Sequence, residues 1–186
     1  MKIDKNMNLV IPVTRSDGVD IFVHSTPISA LIFEKYYRPL AEAFNYLHTH
    51  QLWMATGPRI AFLTLKDKSE QLGLWDGQDG VERGLMAEIH RLTNVMVTGD
   101  KGWETIPFDE AVKRNMVEKE DVSEVDNRII FFTLGYSLHN RKDRWDMLDV
   151  PLTLWGAQIV SLNCTAYLNS LKTSTEGGNS GVTAAA

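Results

Sequence analysis

The sequence predicts a mainly helical, α+β chain: an N-terminal β-hairpin, about five or six helices and a flexible C-terminal tail. Three observations carry that expectation. Apolar residues alternate on both sides of an Asp-Gly turn near the N-terminus. Downstream of Ser25 they recur at three- and four-residue spacing in several runs. From Lys172 the composition shifts to Thr, Ser, Gly, Asn and Ala.

The hairpin is expected over about residues 8–24. Leu9, Ile11 and Val13 alternate on one arm, Val19, Ile21 and Val23 on the other, with Arg15, Ser16, Asp17 and Gly18 as the turn. Pro12 has no N–H to give to a ladder, so its strand should lie at an edge or begin late.

The helices follow in order. Ser25, Thr26 and Pro27 form a start signal for the first, whose stripe is Ile28, Ile32, Tyr36, Leu40, Phe44 and Leu47. Pro39 should kink or split it. Gly57 and Pro58 open a second, over 57–72. A third is expected over 81–97, with Leu85, Ile89, Leu92 and Met96 inward, ended by Gly99 and Gly102. Thr105, Ile106 and Pro107 start a short helix carrying Phe108, Ala111 and Val112. Next comes the clearest amphipathic run: Val122, Val125, Ile129, Phe132 and Tyr136 share a face. Glu118, Glu120, Asp121 and Glu124 sit at its N-terminus, where acids suit the helix dipole and Asp121 with Glu124 resembles a capping arrangement. The last helix is expected over 151–171, with Leu152, Trp155, Ile159 and Leu162 inward. The whole reads as a single domain, 1–171, with a low-complexity tail, 172–186, that supplies no core.

With 44% hydrophobic residues over 186 positions, the chain can bury a core without disulfides or metals. The net charge of −5 and the lack of a dense basic run argue against nucleic acid; Arg141, Lys142 and Arg144 are interrupted by Asp143. No apolar run reaches the span of a bilayer, and the N-terminus lacks a signal-peptide core, so a cytoplasmic location is expected. The lone Cys164 makes neither an internal disulfide nor a Cys-based zinc site, and reads as a structural thiol.

No motif of nucleotide binding, phosphate cradling or zinc catalysis is present, so neither a cofactor nor catalysis is expected. His48 and His50, two apart beside a helix end, diverge on a helix and suit a C-terminal dipole better than a shared metal. His90 and Glu88 are likewise two apart, and His24 and His139 are isolated. Trp75 and Trp103 lie in glycine-containing loops, either pinning those loops or anchoring a partner. Met86 and Met96 fill core gaps or soften a binding face.

Several phrases resemble one family. They are Leu9 to Pro12; Val23, His24, Ser25, Thr26, Pro27, Ile28 and Ser29; Gly57, Pro58, Arg59, Ile60 and Ala61; the run from Gly84 through Glu88, His90 and Arg91 to Asn94; Trp103 to Pro107; Phe131, Phe132 and Thr133; and Trp155, Ser161, Leu162, Asn163, Asn169, Ser170 and Leu171. Their order and spacing are similar to tail assembly chaperones of long-tailed bacteriophages and prophages, over most of the chain. The resemblance implies a protein of the infected cell's cytoplasm that binds the tape measure protein, keeps it soluble while tail tube protein assembles around it, and is absent from the finished virion. Tyr167, Leu168 and Leu171, where apolar residues run into the tail, are the expected contact residues. Two other readings stand beside it: a virion structural protein of the tail or head–tail connector, and a small enzyme or metal protein built around His48, His50, His90 and neighbouring carboxylates.

Overall fold

A computed structural model describes residues 2–3, 7–99, 102–140, 143–144, 148, 153 and 158–159. The described chain is α+β. Its strands are β1 (Lys2–Ile3), β2 (Leu9–Thr14), β3 (Asp20–Ser25), β4 (Thr93–Gly99), β5 (Gly102–Pro107) and β6 (Gln158–Ile159). Its helices are α1 (Ala30–Thr49), α2 (Leu52–Ala55), α3 (Gly57–Gln71), α4 (Ala87–Arg91), α5 (Phe108–Lys113) and α6 (Lys119–Ser137), with a π-helical turn, Val81–Met86, leading into α4.

One sheet runs in the order β5-β4-β3-β2-β1-β6. Its four long strands are antiparallel; the two-residue β6 joins β1 in parallel. Register places Ile11, Val23, Val95 and Ile106 in one row across four strands, all buried. Burying each such side chain is worth about 1.5–3 kcal/mol. That face meets the helices, where α3 and α6 pack most closely. Gly57 lets them approach, because a Cβ there would land on the Phe131 ring. Asn127 ties the pair: its Oδ1 accepts the Phe62 N–H at 2.9 Å and its Nδ2 donates to Ser123 O at 2.8 Å.

The hairpin forms as expected, but β2 lies between β3 and β1 and not at an edge of the sheet; Pro12 is accommodated because β1 is short. Beyond Val10 no described strand pairs with the outer edge of β2. Arg15 N–H bonds Val19 O at 3.0 Å, so alternation along the ladder turns Pro12 outward, and Arg128 Nη1 reaches its carbonyl at 3.5 Å. In α1 the backbone leaves helical geometry at Tyr36, one turn before Pro39. This is the expected kink, since the proline ring crowds the preceding turn.

Five expectations need correction. The segment 93–107 is a β-hairpin, not the end of one helix and the start of another; the helix ends at Arg91. Thr93, Val95 and Val97 are β-branched and point to one face, and this period of two wins over the three- and four-residue spacing of Leu85, Ile89, Leu92 and Met96. Gly99 and Gly102 therefore pair at the end of the β4–β5 ladder, and Gly102 adopts φ +115. Ser25 ends β3, and the cap of α1 is Ser29, whose Oγ accepts the Ile32 N–H at 3.3 Å. The cap position of α6 is Glu118, whose side chain makes no cap bond; Asp121 accepts the Glu118 N–H, so Asp121 closes the first turn and is not the cap paired with Glu124. Ile159 is a strand residue paired with Ile3, not a helical one. The rest of the expected last helix, with Trp155, Leu162 and Cys164, and the tail 172–186 lie outside the described residues.

Candidate functional site

A cleft of about 470 Å³ opens where the π-helical turn, α4, α5 and α6 meet. Its walls are Phe62, Trp75, Met86 and Ala87; its polar groups are Glu82, Arg83, His90, Asp109 and Asp126. The local sequence explains its shape. A π-helical turn is wider than an α-helix and recurs at functional positions. Here it carries Glu82, Arg83 and Met86 to the cleft. Gly84 allows it to press on α1, because a Cβ there would land on the Tyr36 hydroxyl. Trp75 is buried with its ring edge-on to Phe62 at 6.1 Å, so this loop tryptophan pins its loop. Lys66 Nζ lies 5.4 Å from the Trp75 ring centroid.

His90 is the centre of the cleft. Its Nε2 lies 2.8 Å from Asp126 Oδ1 and its Nδ1 3.4 Å from Asp109 Oδ1. Asp126 is 7% exposed, whereas Asp109 is 65% exposed. Phe108 packs on the ring at 4.8 Å between centroids. Burial alone disfavours the imidazolium. The hydrogen bond and charge of Asp126, followed by the charge of Asp109, outweigh it and raise the pKa above the ordinary histidine value. A doubly protonated ring donates to both carboxylates; a neutral ring donates to one.

The structure separates the other histidines. His48 stacks on Phe44, while His50 closes α1 with Nδ1 2.9 Å from Tyr46 O and its ring on Tyr46. This matches a helix-end role for His50. His139 Nδ1 lies 2.9 Å from Gly135 O. His24 is buried in β3 on the sheet face shared with Val10 and Met96. Glu88 pairs with Arg91 at 2.6 Å rather than with His90. Met86 is buried at the cleft and Met96 within the sheet. The expected contact residues Tyr167, Leu168 and Leu171 lie outside the described residues.

Sequence reading singled out His90 but missed its partners. One signal was present: Asp126 stands four residues after Val122 and three before Ile129, a carboxylate on the apolar stripe of α6. A carboxylate there must find a hydrogen-bonded partner. Nothing in the linear order identifies that partner as a histidine 36 residues away.

Two further clefts are described. One, of about 640 Å³, lies between the β2 edge and α6 and is lined by Pro12, Thr14, Arg59, Glu124 and Arg128. The other, of about 470 Å³, lies at the kink of α1, beside the Lys35–Asp79 ion pair. Among the described residues no group of three or more His, Cys, Asp or Glu is spaced to hold a metal ion, and no helix is long and apolar enough to cross a membrane. Compared with family models, curated proteins and solved structures, the chain matches none.

Proposed function

We propose that this protein is a tail assembly chaperone of the long-tailed bacteriophage type. It binds the tape measure protein in the host cytoplasm, keeps it soluble while tail tube protein assembles, and acts through its surface without catalysis. The reading rests on the resemblance of the quoted phrases, which the fold brings side by side. Leu9 pairs with Ser25 and Ile11 with Val23. His24 pairs with Asn94 and Ser25 with Thr93, while Thr26 N–H bonds Leu92 O at 3.1 Å. Asn94 pairs with Pro107, and Gly57 abuts Phe131. Each described phrase touches another. Apolar segments of a single packed body meet in this way, and the proposal rests on the resemblance of the phrases themselves.

The physical demand on such a protein is apolar contact surface for a long helical client. Leu31 (74% exposed) and Tyr37 on α1, and Leu63 on α3, are large apolar side chains left open to solvent. Tyr167, Leu168 and Leu171 remain the proposed contact residues.

The test is co-expression with a tape measure protein from the same source genome. The expected result is a rise in soluble tape measure protein and its co-purification with this chain. Replacing Tyr167, Leu168 and Leu171 together by Ser is expected to reduce that rise. No rise and no co-purification overturn the proposal. So does stoichiometric presence of the chain in purified virions by mass spectrometry, which is the outcome for a tail or connector subunit.

A further inference from the structure

We infer that the His90 cleft is a receptor for a basic side chain, lysine or arginine, presented by a bound polypeptide. The inference rests on the protein-binding reading above and names what one of its surfaces recognises. The occupant follows from the chemistry of the walls. Phe62, Trp75 and Met86 offer apolar surface suited to an aliphatic stem. Asp109, in the first turn of α5, offers a carboxylate that is mostly open to solvent. Glu82 and Arg83, adjacent on the π-helical turn, offset each other. His90, Asp109 and Asp126 together carry one net negative charge with the imidazole protonated, and two with it neutral. An anionic ligand meets that charge unfavourably. A purely apolar one covers the exposed Asp109 carboxylate and leaves it only the 3.4 Å contact to His90 in place of water. A divalent ion finds no converging ligand set among the described residues. A cation on an aliphatic stem satisfies both wall and rim.

The charged groups around His90 set a further consequence. Glu82 and Arg83 approach from the π-helical turn, Asp109 from α5 and Asp126 from α6. On α4 itself Glu88 and Arg91 are paired with each other. A bound cation and the imidazolium share the same two aspartates, so they oppose each other, and binding strengthens as His90 loses its proton.

The test is a nuclear magnetic resonance titration of the isolated full chain, following the His90 and Trp75 ring signals. The probe is N-acetyl-arginine N-methylamide, with N-acetyl-norleucine N-methylamide as the uncharged control. Saturable shifts are expected with the arginine probe and not with norleucine. Affinity should rise with pH through the His90 titration. Asp109→Asn, at an exposed position that leaves the His90–Asp126 bond intact, should weaken binding roughly three- to fivefold. Absence of saturable shifts, equal response to norleucine, or full affinity in Asp109→Asn overturns the inference. The titration involves no client. A chain that solubilises tape measure protein yet shows no shift loses the cleft alone, and one that binds the probe without solubilising the client loses the chaperone reading alone.

Discussion

The Tyr136 hydroxyl lies 2.7 Å from the Ile28 N–H and accepts its hydrogen bond, joining α6 to the entry of α1 across 108 residues. Burial pushes this phenol's pKa upward, so it stays neutral and keeps its hydrogen-bonding capacity. Tyr136→Phe leaves the Ile28 N–H without that acceptor and should cost about 1–3 kcal/mol in urea denaturation. His90 gives a pH prediction. Its folded pKa is raised, so the folded state favours the imidazolium. The stability it contributes is complete below the ordinary histidine pKa of about 6.5 and is lost as pH rises through the folded value. Unfolding free energy should fall across that window in the wild type, and fall less in His90→Gln. Asp121 behaves differently. Burial, then the neighbouring Glu118, raises its carboxyl pKa, although it also accepts the Glu118 N–H. Asparagine keeps an acceptor and sheds the charge, so Asp121→Asn should match or exceed the wild type in melting temperature at neutral pH. A clear loss would show that the charge itself caps α6.

At the scale of elements, close approach decides. The π-helical turn meets α1 at Gly84, where Tyr36 sits at the kink caused by Pro39 and extends its hydroxyl to Asp79 O at 3.2 Å. Gly84→Ala forces the phenol aside and should cost about 1–3 kcal/mol, the usual penalty of overpacking. Pairing it with Tyr36→Phe, which removes the nearest of the clashing atoms, should restore part of that loss in thermal denaturation. The sheet shows what local signals resolve. The Asp-Gly turn and clean alternation made β2 and β3 legible, and Gly18 indeed turns with φ +80. The β4–β5 hairpin was not legible. Leu85, Ile89, Leu92 and Met96 continue a helical spacing straight through the chain reversal, so two periods overlap in one segment. Pairing decides between them: Val95 lies between Val23 and Ile106, which are 83 residues apart in the chain.

For the molecule as a whole, the helical run 119–137 and the helix 57–71 were readable because each carries its apolar stripe and its start signal within itself. The helix expected over 151–171 had a comparable stripe, yet Gln158–Ile159 pairs in parallel with Lys2–Ile3. A parallel strand pair answers to a partner about 156 residues distant, and hydrophobic spacing alone carries no record of it. The same holds for the candidate site. His90, Asp109 and Asp126 come from three helices, and their convergence requires the π-helical turn, α5 and α6 to be packed first. If that cleft serves the whole molecule's binding role, Asp109→Asn should lower the yield of soluble tape measure protein on co-expression without lowering the melting temperature.

By itself, the sequence determined the elements whose causes are local: the first hairpin, the proline kink and the helices over 57–71 and 119–137. Tertiary structure alone decided the second hairpin, the strand at Gln158–Ile159 and the joining of one histidine to two distant aspartates. The reason is physical. Dihedral preference, capping and apolar periodicity act within a few residues, whereas a strand's partner and a buried carboxylate's counter-charge are chosen by which distant surfaces are packed together.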